Sequence, residues 1–359
     1  MAAKSALIAM SGGVDSSVSA LLMTQQGYQC VGCTMKLFAR NDDNVVGEKT
    51  CCALSDVEDA RSVAYKLGMK YYVFNFQDEF KQKVIDPFVC TYQCGKTPNP
   101  CLECNRHLKF AKLFERAQDL GLDYVVTGHY ARVAKQGDKF VLKKAVDPTK
   151  DQSYVLYTLT QAQLAHTIFP LGELTKTKVR EIARAHGFVN ADKADSQDIC
   201  FVPDGDYARV VEEMTGKKAV PGNFVDQNGR VLGQHKGIVH YTIGQRRGLG
   251  IAHVTPLYVV KICPENNTVV LGDEADLYQK EMLLGDFNWI AGAVPTEPVR
   301  CRVKIRYKHA EQPATLYPQP DQKVRVVFDQ PQRAITAGQA GVAYQGEIVI
   351  GGGTILGTL

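Results

Sequence analysis

Long apolar runs and a strong excess of charge are both missing from this sequence. It contains no stretch of about 18 apolar residues, and its first residues, MAAKSALIAM, lack the charged, apolar and small-residue zones of a signal peptide. We therefore expect neither a membrane span nor secretion, and the cytoplasm is the expected location. Lys and Arg number 42 against 38 Asp and Glu, a net charge of +4. Bulk charge this small does not indicate nucleic-acid binding, so a site for a polyanion must come from local clustering.

The chain has 11 cysteines, an odd number that cannot all pair with one another in disulfides. Without a secretory signal, we expect free thiols, metal ligands or redox catalysts rather than a disulfide framework. The 359 residues, 45% of them hydrophobic, are enough for two or three domains at roughly 150 residues each.

The order of apolar runs and turns predicts an α/β domain followed by β-rich modules. Residues 6–10 form an apolar run that enters a Gly-rich turn, an amphipathic stretch extends to Gly27, and a second apolar run covers residues 30–35. The alternation recurs up to a strand predicted at 124–127, so we expect a doubly wound parallel sheet with helices on both faces. After about residue 205, turn signals and short Val- and Ile-rich strands replace most helices. The predicted domains are 1–205, 206–277 and 278–359.

The turn after the first predicted strand has the composition of an anion site. Ser11, Gly12, Gly13 and Ser16 are small residues that let several backbone N–H groups converge. The N-terminus of the following helix adds partial positive charge. The loop lacks the GKS or GKT ending of loops that transfer a γ-phosphate, and it contains no GxGxxG dinucleotide motif. The alternative interpretation is a Gly-rich turn that is merely capped by Ser or Asp.

Three cysteines form a second candidate site. Cys101 and Cys104 have CxxC spacing directly behind two prolines, in a loop that we expect to be stiff, and Cys200 follows far along the chain in SQDICF. A CxxC can be half of a zinc site, which Cys90 and Cys94 could complete. Taken alone, Cys200 would more commonly be a buried, inert thiol.

Alternating cations near the C-terminus form a candidate surface for a polyanion. A strand over residues 300–308 would place five cations on one face, namely Arg300, Arg302, Lys304, Arg306 and Lys308. A solvated strand face is the ordinary interpretation. However, five like charges repel one another unless a polyanion offsets them, which favours a phosphate backbone as partner. Arg246 and Arg247, in a loop bounded by glycines, are further candidates for phosphate binding.

The motifs taken together resemble known families. SGGVDS after a strand resembles the pyrophosphate loop of the ATP pyrophosphatase superfamily, whose members split ATP between the α and β phosphates and adenylate a carbonyl oxygen. Six ordered motifs resemble the tRNA-specific 2-thiouridylase family over most of the chain: SGGVDSS, GKTPNPCxxCN, TGHYAR, KDQSYVLY, SQDICF and GIVHYTIGQRRGLG. The resemblance implies an enzyme that uses ATP and a protein persulfide to place sulfur on carbon 2 of the wobble uridine of tRNA. It also implies that the last domain is a β-barrel that contacts tRNA.

The resemblance assigns roles to individual residues. Cys104 matches the nucleophile and Cys200 the cysteine that bears the persulfide, which implies a Cys104–Cys200 disulfide that a reductant must reopen. The implied ATP-binding residues are Ala9, Met10, Ser11, Gly12, Gly13, Val14, Asp15, Ser16, Met35 and Gly128. The implied contacts of the target base are Asn99, Pro100 and Cys101. The implied tRNA contacts are His129, Lys150, Asp151, Gln152, Arg306, Tyr307 and Gln339.

Cofactors and partners follow from the same resemblance. ATP with Mg²⁺ is implied, tRNA is the substrate, and a cysteine desulfurase or a sulfur-relay protein is the sulfur source. Many family members carry Asp at the position of Cys101. This thiol therefore either replaces the carboxylate as a general acid/base or joins Cys104 and Cys200 in holding a [4Fe–4S] cluster.

Two other functions stay open at this point. An amide-forming ligase could use the same ATP loop, but it would need neither Cys104 nor Cys200. A non-enzymatic RNA-binding protein could use its cysteines to hold a metal, but it would not need SGGVDS.

Overall fold

A parallel sheet, a small β module and a β-barrel follow one another along the chain. The computed structural model describes residues 3–38, 54–194, 199–202 and 204–359. Its strands are β1 (Ser5–Ala9), β2 (Gln29–Lys36), β3 (Lys70–Asn75), β4 (Tyr124–Val126), β5 (Ala131–Gln136), β6 (Lys139–Lys144), β7 (Thr167–Ile168), β8 (Gly222–Val225), β9 (Val231–His235), β10 (Tyr258–Cys263), β11 (Thr268–Gly272), β12 (Tyr278–Trp289), β13 (Val299–Lys304), β14 (Gln312–Gln319), β15 (Lys323–Arg333), β16 (Ala340–Gln345) and β17 (Ile348–Thr358).

Helices occupy mainly the N-terminal half. The α-helices are α1 (Val14–Gln25), α2 (Leu54–Lys66), α3 (Gln77–Phe80), α4 (Asp86–Gln93), α5 (Pro100–Cys104), α6 (Leu113–Asp119), α7 (Gln161–Ala165), α8 (Lys176–Ala185) and α9 (Tyr207–Thr215). π-Helical segments lie at Lys81–Ile85 and Asn105–Lys112. Within the described residues, no helix has the length and apolar character needed to cross a membrane.

The strand β1 lies at the centre of the N-terminal sheet and is buried on both faces. The order of this sheet is β3-β2-β1-β4-β7, and every pair is parallel. Because side chains alternate along a strand, Ile8 packs into one core with Val18 of α1, whereas Leu7 packs into a second core with Phe88 of α4. Helices therefore cover both faces, and the predicted doubly wound sheet is confirmed.

The remaining strands form two separate β structures, as predicted. The central module has the strand order β10-β11-β8-β9 around a core that contains Phe224 and Val259. The C-terminal sheet runs β12-β15-β14-β13-β16-β17, and pairing of β12 with β17 closes these six strands into a barrel. Closure removes the free edges of the six strands and encloses a core that includes Leu284 and Val326.

A hairpin from the N-terminal half extends the barrel sheet. β5 pairs with β6, and β6 pairs with β17, with Leu142 opposite Val349. Leu142 shares one core cluster with Tyr154 and Tyr344. The segment predicted as domain 1–205 thus contributes two strands to the C-terminal sheet. Strand propensity indicates that a hairpin forms, but it does not indicate which sheet edge the hairpin joins.

Candidate active site

A cavity of about 350 Å³ opens where the parallel strands β1, β2 and β4 end. Ligands of open α/β sheets bind at this carboxyl edge. The predicted site residues among its described lining are Ala9, Met10, Ser11, Asp15, Ser16, Met35, Pro100, Cys101, Cys104, Gly128, His129, Gln152 and Cys200. Residues that the sequence placed in separate candidate sites therefore share one cavity.

The Gly-rich turn is tied together by its own serine and leads directly into α1. Ser16 Oγ donates to the Gly13 carbonyl (2.9 Å) and accepts from the Ser11 N–H (3.2 Å). Gly12 has a φ of +74°, and a Cβ there would lie 2.3 Å from the Asp56 carbonyl oxygen. Only glycine fits this position, because the backbone is left-handed and the neighbouring chain is too close. The turn therefore presents a helix N-terminus beside the cavity, which is an ordinary phosphate-binding element.

Asp15 and the turn are braced by residues outside the motif. The Asp15 carboxylate accepts hydrogen bonds from Lys176 Nζ at 2.7 and 2.8 Å and from the Tyr130 hydroxyl at 2.7 Å. Asn190, only 2% exposed, donates from Nδ2 to a carbonyl of the turn and to Ser17 Oγ, both at 2.9 Å. Nothing in the local motif indicates these partners, because they come from distant segments of the chain.

The turn after β4 brings a glycine and a histidine to the cavity. A Cβ on Gly128 would lie 3.0 Å from the Ser16 nitrogen, so glycine allows the close approach to α1. His129 is 8% exposed, and a hydrogen bond of 2.7 Å links its Nδ1 to Thr127 Oγ1. Burial first, and the charge of Lys109 second, lower the pKa of His129 well below its usual value, so the imidazole is neutral.

The three candidate thiols line the cavity with different exposures. Cys104, the last residue of α5, is 7% exposed, whereas Cys200 is half-buried and Cys101 is exposed. Cys90 and Cys94 are exposed and lie outside the described lining. No group of three or more His, Cys, Asp or Glu side chains among the described residues could hold a metal ion. The described residues therefore give no support to the zinc interpretation of the CxxC or to a [4Fe–4S] cluster held by the three cavity thiols.

The loop ahead of these thiols is held by the C-terminal barrel. Gln339 Nε2 donates to the carbonyl oxygens of Thr97 (3.0 Å) and Pro98 (3.2 Å). The Thr97 N–H donates to the Ala337 carbonyl at 3.0 Å. Asn99 is the N-cap residue of α5. The barrel therefore fixes the backbone from which Pro100, Cys101 and Cys104 project.

Two predicted tRNA-contact segments meet across the structure. The Gln152 side chain accepts a hydrogen bond from the Tyr130 N–H (2.9 Å). Asp151 accepts from Ser153 Oγ (2.8 Å) through its carboxylate and from the Tyr307 hydroxyl (3.2 Å) through its backbone carbonyl. The loop 150–152 is thus linked both to the cavity and to the barrel.

The alternating cations do not share one strand face, so this prediction is wrong. β13 ends at Lys304, and residues 305–309 form bends and turns. Arg300 pairs with Asp329 at 2.6 Å, and Arg306 donates to two backbone carbonyls at 3.1 Å and to a threonine hydroxyl. Sequence periodicity shows neither where a strand ends nor which cations have partners inside the protein.

Part of the cavity lining was not predicted from the sequence. The additional described lining residues are Cys33, Thr34, Leu37, Phe80, Val84, Lys109, Thr127, Ile199 and Phe201. Most are apolar or small residues that any core would contain. Lys109 follows Cys104 by five residues, which is not a spacing at which α-helical side chains meet, so the sequence held no signal for it.

Some predicted site residues do not line the cavity. Among the described residues these are Gly12, Gly13, Val14, Asn99, Lys150, Asp151, Arg306, Tyr307 and Gln339. Ser196, Gln197 and Asp198 of the SQDICF motif lie outside the described residues.

The fold and the cavity define a nucleotide-binding α/β catalytic domain with two β domains attached. Family models match in the same order along the chain. The tRNA methyl transferase HUP domain matches residues 4–204, the tRNA methyl transferase PRC-barrel domain matches residues 208–273, and the aminomethyltransferase beta-barrel domain matches residues 279–355.

Full-length relatives make the assignment more specific. The tRNA-specific 2-thiouridylase MnmA of Clostridioides difficile is 51% identical over 98% of this chain and 98% of the relative. That of Acetivibrio thermocellus is 51% identical over 99% of this chain and 100% of the relative. The chain belongs to the tRNA-specific 2-thiouridylase family, and it is therefore an enzyme of the sulfurtransferase class.

Two solved structures illustrate more distant likenesses. An NMN synthetase from Francisella tularensis is 18% identical, with a TM-score of 0.36 over 61% of this chain and 80% of that chain. A 4-thiouridine synthetase in complex with RNA and ATP is 16% identical, with a TM-score of 0.34 over 58% of this chain and 53% of that chain. Likenesses this weak support no functional conclusion.

Proposed function

We propose that this chain is an ATP-dependent tRNA-uridine 2-sulfurtransferase that converts the wobble uridine of tRNA into 2-thiouridine. One observation carries the proposal: a phosphate-type turn and the thiols of Cys104 and Cys200 line the same cavity. The reaction needs nucleotide chemistry and sulfur chemistry at one place. The relatives at about half identity are named 2-thiouridylases, which supports the substrate and the product.

The first step activates carbon 2 of the base. Uracil O2 attacks the α-phosphorus of ATP, the bond from that phosphorus to the bridging oxygen breaks, and pyrophosphate leaves with the electron pair. N3 of uracil loses its proton, so that a C2=N3 double bond forms. The N–H groups of the turn 11–16 and the N-terminus of α1 favour anionic oxygens, so they would hold the pyrophosphate. The oxygen on carbon 2 can then depart as AMP.

The second step replaces that oxygen with sulfur. The terminal sulfur of a Cys200 persulfide attacks carbon 2, the C2–O2 bond breaks, and AMP leaves with the electron pair. The Cys104 thiolate then attacks Cys200 Sγ, which forms a Cys104–Cys200 disulfide and frees the sulfur on carbon 2 as a thiolate. Protonation of N3 gives 2-thiouridine. A thiol reductant must reopen the disulfide, and a cysteine desulfurase or sulfur-relay protein must restore the persulfide.

Cys101 takes the role of acid and base toward N3 in this proposal. It is exposed and lines the cavity next to Pro100, and Asn99, Pro100 and Cys101 would contact the target base. The alternative route, in which Cys101, Cys104 and Cys200 hold a [4Fe–4S] cluster, gains no support from the described residues, which contain no group of three His, Cys, Asp or Glu side chains placed to hold a metal ion. Mg²⁺ would arrive on the ATP phosphates. Asp15, already paired with Lys176, is the one carboxylate of the described lining that could face it.

The ATP and tRNA assignments extend beyond the cavity. We propose that ATP contacts Ala9 to Ser16, Met35 and Gly128, and that tRNA contacts His129, the loop 150–152, Arg306, Tyr307 and Gln339. In this proposal, catalysis takes place in domain 1–205, a connecting module covers residues 206–277, and a tRNA-contacting barrel covers residues 278–359. The matched ranges of the three family models support this division, and the cytoplasm, where tRNA is modified, stays the predicted location.

The competing functions explain less of the cavity. An amide-forming ligase would not use the thiols of Cys104 and Cys200. A non-enzymatic RNA-binding protein would not use the Gly-rich turn. AMP formation measured with and without tRNA distinguishes both from the proposed enzyme. AMP formation by the ligase should not depend on tRNA, and the RNA-binding protein should cleave no ATP.

Variants of the turn test the nucleotide assignment. Asp15→Ala and Ser16→Ala should abolish AMP formation from radiolabelled ATP in the presence of tRNA, while tRNA binding survives, because the turn holds pyrophosphate rather than RNA. Asp138→Ala, at an exposed position between β5 and β6, is the matched control and should behave as wild type. Undiminished AMP formation by both turn variants would remove the nucleotide assignment.

A further inference from the structure

Lys109 is a cation of the cavity lining. It is half-buried, and it is the only Lys or Arg side chain in the lining formed by residues 3–38, 54–194, 199–202 and 204–359. None of these residues forms a hydrogen bond or ion pair with its ammonium group. A half-buried charge is costly unless an anion offsets it. An anion bound in the cavity near Lys109 would offset this charge.

A local change of helix type turns Lys109 toward the cavity. Cys104 ends α5, and the chain continues as a π-helix over Asn105–Lys112. In an α-helix, two residues five apart point about 140° away from each other, given 3.6 residues per turn. The i→i+5 bonding of a π-helix brings them to nearly the same side, and such segments are frequent at functional sites. Cys104 and Lys109 accordingly line one cavity.

The position of Lys109 indicates which anion of the proposed reaction it could bind. The pyrophosphate has its own binding element in the Gly-rich turn, and the charge of Asp15 is already offset by Lys176. The α-phosphate must lie between that turn and the thiols, because it is bonded to pyrophosphate before the first step and to the base before the second. Lys109 belongs to the segment that directly follows Cys104, on the thiol side of this gap.

We infer that Lys109 binds the α-phosphate and stabilises the charge that develops on it in both steps. In adenylation, the α-phosphorus gains the bond to uracil O2 as the bond to pyrophosphate breaks. In sulfur transfer, the C2–O2 bond breaks and the same phosphate leaves as AMP with the electron pair. One ammonium group beside this phosphate lowers both barriers. The inference rests on the proposed function and names a catalytic residue for it.

Substitutions of Lys109 test the inference. Lys109→Met should slow single-turnover AMP formation by about 100- to 1000-fold, the usual loss for one group that stabilises a developing oxyanion, with tRNA affinity unchanged. Lys109→Arg keeps the charge and should recover part of the rate. Lys112→Met is the matched control, because Lys112 lies in the same π-helix but outside the described cavity lining, and it pairs with Glu115 at 2.8 Å. It should keep the wild-type rate.

Three outcomes would overturn the inference. Normal AMP formation with weakened tRNA binding would make Lys109 a contact of the tRNA backbone. Normal AMP formation with slowed 2-thiouridine formation would place its charge on a thiolate rather than on the phosphate. Equal loss in Lys109→Met and Lys112→Met would show a general effect on the helix. Failure of the proposed function itself is seen separately, in a wild-type protein that forms no AMP with tRNA.

Discussion

Cys104 and Cys200 differ in exposure in a way that suits the roles proposed for them. Cys200 is half-buried, so a sulfur donor could reach it. Cys104 is only 7% exposed, so it is shielded from thiols in solution and attacks only what enters the cavity. The CxxC spacing and the family motifs predicted that these cysteines matter. Their shared cavity could not be predicted, because nearly a hundred residues separate them along the chain.

The two thiols should therefore fail at different steps. Cys200→Ser should eliminate 2-thiouridine formation but still permit tRNA-dependent release of pyrophosphate from ATP, because adenylation precedes sulfur transfer. Cys104→Ser should also eliminate thiolation. Mercury-gel mobility of the tRNA reports the thiolation, and Cys90→Ser, an exposed cysteine outside the described lining, serves as the control. Near-normal thiolation by Cys200→Ser would show that the persulfide role is wrong.

The neutral imidazole of His129 should make folding stability depend on pH. Burial lowers its pKa well below the usual value, so below about pH 6.5 the unfolded chain binds a proton that the folded protein does not. Stability is therefore lost as pH falls through that range, by up to about 1.4 kcal/mol per pH unit from this group. Urea unfolding between pH 7.5 and 5.5 measures it.

His129→Gln should flatten this acid-side loss, whereas His253→Gln, at an exposed position, should leave it unchanged. His235 and His309, whose pKa values are also lowered chiefly by burial, remain in both variants and cancel in the comparison. An identical pH slope in wild type and His129→Gln would contradict the buried neutral imidazole.

Among the elements of the fold, the Gly-rich turn is held in place by a segment that is distant in sequence. Asn190 binds the Gly12 carbonyl and Ser17 Oγ, and Lys193 pairs with Asp56 and Asp59 of α2. The turn and its helix were predictable, because glycine, serine and a following amphipathic stretch are local signals. The brace was not, because single polar residues such as Asn190 look the same in sequence whether they face solvent or a distant backbone.

Removal of the brace should weaken both fold and nucleotide site. Asn190→Ala leaves a buried carbonyl and a buried hydroxyl without a donor, which should lower the free energy of unfolding by about 1–3 kcal/mol. The KM for ATP should rise, because Gly12 loses the contact that fixes the turn. Denaturant unfolding and AMP kinetics check both effects, with Asn228→Ala in an exposed turn as control. Unchanged stability and unchanged KM would show that the bonds of Asn190 contribute nothing.

At the scale of the whole molecule, the barrel is joined to the catalytic half by backbone contacts at the active site. Gln339 and Ala337 hold Thr97 and Pro98, and the hairpin β5–β6 extends the barrel sheet. The fold class was predictable from the order of strands, helices and turns, and the C-terminal barrel from the resemblance. The contacts between the barrel and the catalytic half could not be predicted. Pairing between strands that are remote in sequence, and hydrogen bonds to backbone carbonyls, leave no pattern in composition.

Exposure and pairing inside the protein determine which cations of the barrel could contact tRNA. Arg302 and Lys308 are exposed, whereas Arg300 is paired with Asp329. Arg302→Gln with Lys308→Gln should flatten the logarithmic salt dependence of tRNA affinity by about 1 to 2, at roughly 0.7–0.9 per phosphate contact. Arg300→Gln should change it little. A double variant with an unchanged slope would show that this face only meets solvent.

Transfer of a labelled sulfur atom tests the proposed reaction most directly. Cys200 would be loaded with a ³⁴S persulfide, the excess donor removed, and ATP and unmodified tRNA added for a single turnover. Nucleoside mass spectrometry should then find ³⁴S in 2-thiouridine, in an amount equal to the persulfide consumed, and peptide mass spectrometry should find a Cys104–Cys200 disulfide. AMP formation with no labelled 2-thiouridine, while the persulfide on Cys200 stays intact, would contradict the proposed reaction.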